Sequence, residues 1–217
     1  MSLVSEKLRR LKSLAGPFPG FDPATAPEDP SDLFAAWFQQ AVAAGVQEPH
    51  AMTLSTVDEA GCPDARVLIL KSMDRDGWHF ATGRASRKGR QLGSGPKAAL
   101  TFYWQPLGRQ VRLRGAVRDM GPAARDADFR AKPMGSRAAA LLARQSDLLT
   151  GNDEFNRALE RQRARLVEDP GLVAPDWAVY ALDPGEVEFW QGDEQRRHIR
   201  LRYRRHEAVW IRERLWP

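Results

Sequence analysis

One cysteine, Cys62, stands in the whole chain of 217 residues. Without a second thiol there is no internal disulfide and no thiolate-rich metal site, and Cys62 itself falls in the turn-like Gly61-Cys62-Pro63. Histidine is scarce too, with four in all, and the spacing of His79, His198 and His206 matches no zinc motif, so no metal is expected. Apolar runs extend only a few residues, as in Val67-Leu-Ile-Leu70, and the first twenty positions lack the charged start and long apolar stretch of a secretory signal. The expectation is a cytoplasmic protein with no membrane partner. A Gly-rich dinucleotide fingerprint, a P-loop, a serine nucleophile elbow, internal repeats and low-complexity tracts are all missing, which argues against the commonest nucleotide-binding and hydrolytic designs.

What is present is a globular composition: 42% hydrophobic residues, seven Trp, nine Phe and 28% charged residues. The length suits one sizeable core better than two domains. Lys plus Arg 33 against Asp plus Glu 28 gives a net charge of +5, a mild bias toward anionic partners, polymeric or small. Arginine concentrates in Arg109 to Arg118 and in Arg196 to Arg214, interleaved with apolar residues in the manner of strand faces.

Residues 1–30, with a basic turn at Lys7 to Lys12 and then Gly16-Pro-Phe-Pro-Gly20, read as a flexible N-terminal arm. A helix is expected from Pro30-Ser31-Asp32 to about Ala44, its apolar stripe formed by Leu33, Phe34, Trp37, Phe38 and Ala41, with Gly45 as the stop. Short strands follow at Ala51 to Val57, Ala65 to Ser72 and Trp78 to Thr82, separated by Asp- and Gly-rich turns. Ser86 is placed to cap a short helix, and two longer strands cover Lys97 to Trp104 and Gln110 to Val117. The period turns helical from Pro122 to about Val167, with Asn152 as the expected N-cap of a long helix. Strands return at Trp177 to Leu182, Val187 to Trp190, His198 to Tyr203 and Ala208 to Arg212. The fold class is mainly β with helices, a small barrel, because closure protects sheet edges. Residues 31–217 are read as one domain, whose C-terminal strand block, 175–217, is too small for its own core and completes the barrel, a dimer interface or both.

Two groups of side chains carry chemistry. Arg66 and Lys71 flank the apolar Val67-Leu-Ile-Leu70, which reads as a buried strand, while Thr82, Ser86, Arg87 and Lys88 meet at the next strand-to-helix junction. Cations beside a hydroxyl and a helix N-terminus suit a phosphate, although a solvated surface has the same composition. The second group is Gln110, Gln145, Ser146, Trp190 and Arg200, with Arg196 and His198. Spacing by two would point Arg196, His198 and Arg200 to one side of a strand, where they need an anionic partner. Arginines alternating near Phe102, Tyr103 and Trp104 also suit an oligonucleotide-binding barrel.

At these residues the chain resembles the pyridoxamine 5'-phosphate oxidase family of FMN-dependent split-barrel flavoproteins. The likeness runs from about residue 30 to the end, through Arg66-Val-Leu-Ile-Leu-Lys71, Ser86-Arg-Lys88, Arg109-Gln-Val111, Arg144-Gln-Ser146 and Val187-Glu-Phe-Trp-Gln-Gly192 with Arg196, His198 and Arg200. The resemblance implies an FMN-binding split β-barrel, a homodimer with two interfacial FMN sites, and no nucleic-acid partner. Arg66, Val67, Leu68, Ile69, Lys71, Thr82, Arg87, Lys88 and Gln110 would come from one chain, and Gln145, Ser146, Trp190 and Arg200 from the other. It further implies that Lys71, Lys132, Ser136, Arg196 and His198 surround a small anionic heteroaromatic substrate. Lys71, Arg196 and His198 would serve catalysis, with hydride passing to the flavin and electrons to molecular oxygen, giving hydrogen peroxide.

Family members that make pyridoxal phosphate hold its phosphate with a Lys, Tyr, Arg and Ser set, and this chain offers Lys71, Asp128, Lys132 and Ser136 there. A carboxylate repels phosphate and lysine lacks the arginine fork. Arg197 also stands where leucine is usual. The segments Gly16-Pro-Phe-Pro-Gly20, Ala44-Gly-Val-Gln-Glu-Pro49 and Lys132-Pro-Met-Gly-Ser136 look more like the phenazine-biosynthesis branch, whereas Lys71 is the residue of the vitamin B6 branch. The expected activity is therefore oxidation of a dihydrophenazine-carboxylate-like heterocycle in natural-product biosynthesis. The alternatives are a pyridoxamine/pyridoxine 5'-phosphate oxidase and a non-enzymatic flavin-binding protein.

Overall fold

A computed structural model describes residues 3–217 of the chain. The helices are α1 (Leu3–Arg10), α2 (Pro30–Ala43), α3 (Arg87–Ser94), α4 (Gly121–Ala131), α5 (Met134–Leu141) and α6 (Asn152–Glu168). The strands are β1 (Ala51–Val57), β2 (Pro63–Ile69), β3 (Ser72–Asp74), β4 (Gly77–Gly83), β5 (Lys97–Trp104), β6 (Arg109–Asp119), β7 (Trp177–Gln191), β8 (Ile199–His206) and β9 (Val209–Leu215). They hydrogen-bond in the order β2-β1-β5-β6-β7-β4-β3, with β8 on β7 and β9 on β8. Among the described residues no helix is long and apolar enough to cross a membrane.

The chain groups into two compact units. One holds residues up to His50, Thr101–Leu113 and Glu186–Pro217. In it Asp29 caps α2, its Oδ1 accepting from the Ser31 amide at 2.7 Å while Pro30 occupies the first turn. The helix buries Leu33, Phe34, Trp37 and Ala41, and Phe34 packs on Phe102 and Trp104 with ring centroids 5.0 and 5.8 Å apart. Arg109 is 2% exposed, stacks over Trp37, and donates to Gln40 at 2.6 Å and Gln191 at 2.9 Å. Its burial brings the guanidinium pKa down to about 10 and leaves it charged at neutral pH. Register pairs Trp190 with Arg200 across β7 and β8.

The other unit holds Ala51–Leu100 and Arg114–Gly185. Along β1, Met52, Leu54 and Thr56 turn inward in strict alternation, and β1 pairs antiparallel with β2 so that Leu54 faces Arg66. Strand β4 pairs with β7 from Trp78↔Leu182 to Gly83↔Trp177. Gly77 adopts φ +126°, and a side chain there would meet the Leu182 carbonyl. Ser86 caps α3 through its Oγ, which accepts from Gly89 at 3.2 Å, as expected.

Four local expectations are corrected. The apolar stretch 67–70 is not buried: Val67 is 66% exposed and Leu68, Ile69 and Leu70 are intermediate, because β2 ends the strand order and has β1 as its only pairing strand among the described residues. The helical stretch after Pro122 is three helices, broken at Pro133 and again across 142–151, where Ala143 and Ser146 take φ of +51° and +81°. Gly151, not Asn152, is the N-cap of α6. Strand β7 runs unbroken through Asp183-Pro184-Gly185, with β4 paired along 177–182 and β8 along 186–191, so that Pro184 lies in neither of these two ladders.

Candidate active site

In the unit of β1 to β4, the β2 register sets Asp64 and Arg66 on one face, two residues apart. The Arg66 guanidinium donates to Thr56 Oγ1 at 2.6 Å and Gln91 Oε1 at 3.2 Å and meets Asp64 at 2.5 Å. Asp64 also receives Arg87 at 3.1 Å. The hydrogen bond from Gln91, then Arg66 and Arg87, hold its carboxyl below the usual range. Lys88, 6% exposed in the first turn of α3, donates to Gln145 Oε1 at 2.9 Å. Burial and the nearby Arg66 push its pKa down. Thr82 and Ser86, both buried, bring their hydroxyl oxygens within 3.3 Å. Gly89 has no room for a side chain, whose Cβ would lie 2.4 Å from the carbonyls of Gly83 and Arg84.

A cavity of about 470 Å³ opens here, lined by residues 64–68, Arg87, Lys88, Gln145 and Ser146. Three cations face one carboxylate around a helix N-terminus, and the buried one, Lys88, has only an amide for a partner. Such a surplus of charge and donors is what a phosphate dianion requires.

The same β2 wall borders a second cavity of about 470 Å³, lined by residues 67–69, Lys71, Ala81, Asp128, Lys132, Ser136 and Trp177 among others. Lys71 pairs with Asp128 at 3.0 Å, and the other Asp128 oxygen accepts from Trp177 Nε1 at 2.8 Å. Lys132 lies over the Trp177 ring, 4.4 Å from its centroid; burial and the positive Lys71 lower its pKa. Ser136 lines both this cavity and an adjoining apolar one of about 530 Å³.

Gln145 and Ser146, expected from a partner chain, thus stand beside Lys88 of their own chain. The remaining expected residues belong to the other unit. Gln110 is half-buried on β6. Trp190 is the penultimate residue of β7, its ring 5.0 Å from that of His198. Arg200 on β8 donates from Nε to Glu188 at 2.8 Å. Arg196 and His198 precede β8 and do not share its face. Arg196 takes φ +65° and reaches Ser13 Oγ at 3.0 Å. His198 Nδ1 accepts from the Asp193 amide at 3.1 Å, which leaves the ring proton of the neutral form on Nε2. Sequence reasoning missed Asp64, Gln91, Trp177 and Glu188. For Asp64 and Glu188 a signal existed, each lying two residues from a chosen strand residue, Arg66 or Trp190.

Fold and site together define a protein that holds a phosphorylated cofactor on a mainly β scaffold. The chain belongs to the pyridoxamine 5'-phosphate oxidase family: the model of that name matches residues 38–191, and the pyridoxine 5'-phosphate oxidase C-terminal dimerisation region matches 177–217. It is 42% identical over 200 residues to the pyridoxine/pyridoxamine 5'-phosphate oxidase of Pseudomonas paraeruginosa, covering 91% of this chain and 93% of the relative. With the enzyme of the same name from Bordetella petrii it shares 46% over 179 residues, 82% of this chain and 84% of the relative. Among solved structures, PhzG from Burkholderia lata in complex with tetrahydrophenazine-1-carboxylic acid superposes with a TM-score of 0.85 at 29% identity, covering 93% of this chain and all of that one. The fold is therefore the family's split β-barrel, and the protein is an FMN-dependent oxidase. The Arg66, Arg87 and Lys88 cradle, with Gln145 and Ser146 beside it, fits the FMN phosphate in charge and donor count, whereas Thr82 and Ser86 are buried behind it with their hydroxyls close to one another.

Proposed function

We propose that this chain is a cytoplasmic FMN-dependent oxidase that aromatises a reduced nitrogen heterocycle bearing a carboxylate, of the dihydrophenazine-carboxylate type, in natural-product biosynthesis. The observation that carries this reading is Asp128, whose two oxygens are committed to Lys71 and Trp177. Two like charges about 4 Å apart repel by about 4 kcal/mol at an effective dielectric near 20, so this carboxylate opposes above all the second charge of a phosphate. Lys71 and Lys132 against Asp128 leave one positive charge, which matches a monoanionic carboxylate. The apolar cavity next to Lys132 and Ser136 gives room for fused rings.

In this reading Lys71, Lys132 and Ser136 hold the substrate anion, and Trp177 offers a flat apolar wall. Arg196 and His198 would also contact the substrate, His198 through Nε2–H as a donor. FMN, when bound, accepts two electrons as hydride and delivers them to molecular oxygen, so that the substrate loses two hydrogens and hydrogen peroxide forms. Arg66, Thr82, Arg87, Lys88, Gln145 and Ser146 of one protomer would hold the cofactor, with Gln110, Trp190 and Arg200 supplied by its partner in a homodimer. The C-terminal dimerisation region supports that arrangement.

A second reading, oxidation of pyridoxine or pyridoxamine 5'-phosphate, is favoured by the name that relatives 42–46% identical carry and by Lys71. Steady-state turnover separates the two. The proposal expects stoichiometric peroxide and the larger kcat/KM with a dihydrophenazine carboxylate. A larger kcat/KM with pyridoxamine 5'-phosphate decides for the second.

A further inference from the structure

Glu188 is a buried carboxylate that the reaction scheme does not use. It is 5% exposed on β7, in the unit that carries Trp190 and Arg200. Oε1 accepts from Arg200 Nε at 2.8 Å and Oε2 from Arg112 Nη2 at 2.6 Å. Burial acts to raise its pKa, but the hydrogen bonds and charges of the two arginines outweigh that and hold it below the usual range. Removing Glu188 would leave the two guanidiniums without the carboxylate they share, whereas removing one arginine still leaves an ion pair.

The geometry of Arg200 shows what the cluster does. Its Nε is spent on Glu188 and its Nη1 donates to the Trp216 carbonyl at 3.0 Å. Its Nη2 donates to no group among the described residues. A guanidinium is planar, so fixing Nε and Nη1 fixes the direction of the remaining donors. One carboxylate between two guanidiniums also leaves one positive charge over, which an anion or an electron-rich ring can answer.

We propose that Glu188 is a positioning residue: it locks the plane of Arg200 and thereby orients the arginine's free donor edge toward the flavin. This rests on the reading of Arg200 as a cofactor contact. Arg112 is exposed and half of its side chain is open to solvent, so its part is to neutralise Glu188, not to touch the ligand.

The test titrates dimeric apoprotein with FMN, reading the dissociation constant from flavin fluorescence and the environment from the visible circular dichroism of the bound flavin. Glu188→Gln presents a donor to one of the two arginines and is expected to weaken FMN about tenfold and to change the flavin dichroism, about 1.4 kcal/mol by the usual conversion. Glu188→Asp, which keeps the charge at shorter reach, should fall between it and the natural protein, and serves alone if the glutamine variant fails to fold. Arg112→Gln is expected to shift the constant less than about threefold. Arg200→Lys separates the two layers of the argument. If it weakens FMN while both Glu188 variants keep natural affinity and dichroism, the positioning role is wrong and Arg200 still binds the cofactor. If it leaves FMN binding unchanged, the cofactor role of Arg200 is wrong and the positioning role falls with it.

Discussion

Asp128 reaches Lys71 at 3.0 Å with one carboxylate oxygen while the other is held by the Trp177 indole. The lysine expected to meet the substrate's anion is thereby partly neutralised by a neighbour 57 positions along the chain, and that neighbour is fixed by α4 and β7. Charge at this site is set by a pair, so changing one member changes what the other can bind.

Asp128→Asn keeps an acceptor for Trp177 and removes the negative charge. The kcat/KM for pyridoxamine 5'-phosphate is expected to rise by roughly tenfold or more relative to a carboxylate substrate, in line with loss of a like-charge repulsion of a few kcal/mol. An unchanged ratio in parallel peroxide assays would show that Asp128 does not select the substrate.

Lys88→Met should have opposite effects on the empty and the loaded protein. In the apoprotein it removes a buried cation that has only Gln145 to bond, so thermal stability is expected to hold or rise. FMN affinity is expected to fall roughly 10- to 100-fold, the worth of a charge-assisted hydrogen bond of about 1.5–3 kcal/mol. Thermal melts with and without FMN check both signs at once.

The same lysine gives FMN binding a pH dependence. Burial, then Arg66, lowers the Lys88 pKa below the ordinary 10.5, and an arriving phosphate must raise it again. Binding therefore takes up a proton in the alkaline range, and affinity is expected to fall as pH rises through the lowered pKa of the free protein. Titrations by fluorescence in two buffers of different protonation enthalpy, combined with calorimetry, measure that proton uptake; none at alkaline pH would contradict it.

Arg196 bonds to the arm at Ser13 and is read as a substrate contact. Arg196→Ala is expected to lower turnover by about 2–3 kcal/mol, roughly 30- to 150-fold, while the purified protein keeps its full flavin content. Loss of flavin, read from the visible spectrum against protein mass, would move Arg196 to the cofactor shell.

Much of this was legible in the chain. The α2 stripe of Leu33, Phe34, Trp37 and Ala41, the Ser86 cap and the alternation of β1 are local patterns, and local patterns survive into the structure. The cluster of Arg66, Arg87 and Lys88 was legible because a strand-to-helix junction gathers residues close in sequence. Pairings across long separations were legible only through the family resemblance, which set Asp128 with Lys71 and put Gln145 in the cofactor site, though on the partner chain. No local pattern near Lys71 or Lys88 announces either contact, since both depend on where α4 and the 142–151 loop return. Strand β7 was split at Asp183-Pro184-Gly185 because a turn signal is read locally, whereas tolerance of proline in a strand depends on which ladder needs its N–H. Arg196 and His198 followed a period-two count, but a left-handed residue at Arg196 ends the count before β8 begins.

The central claim concerns which molecule gives its electrons to the flavin. The most direct test is anaerobic reduction of the FMN-loaded protein, followed by loss of the flavin's visible absorbance, with a dihydrophenazine carboxylate and pyridoxamine 5'-phosphate compared at equal concentration. Rapid bleaching by the tricycle and slow or no bleaching by the phosphate is the expected result. Rapid bleaching by pyridoxamine 5'-phosphate with none by the tricycle would contradict it, and would make Asp128 a tolerated neighbour of a phosphate.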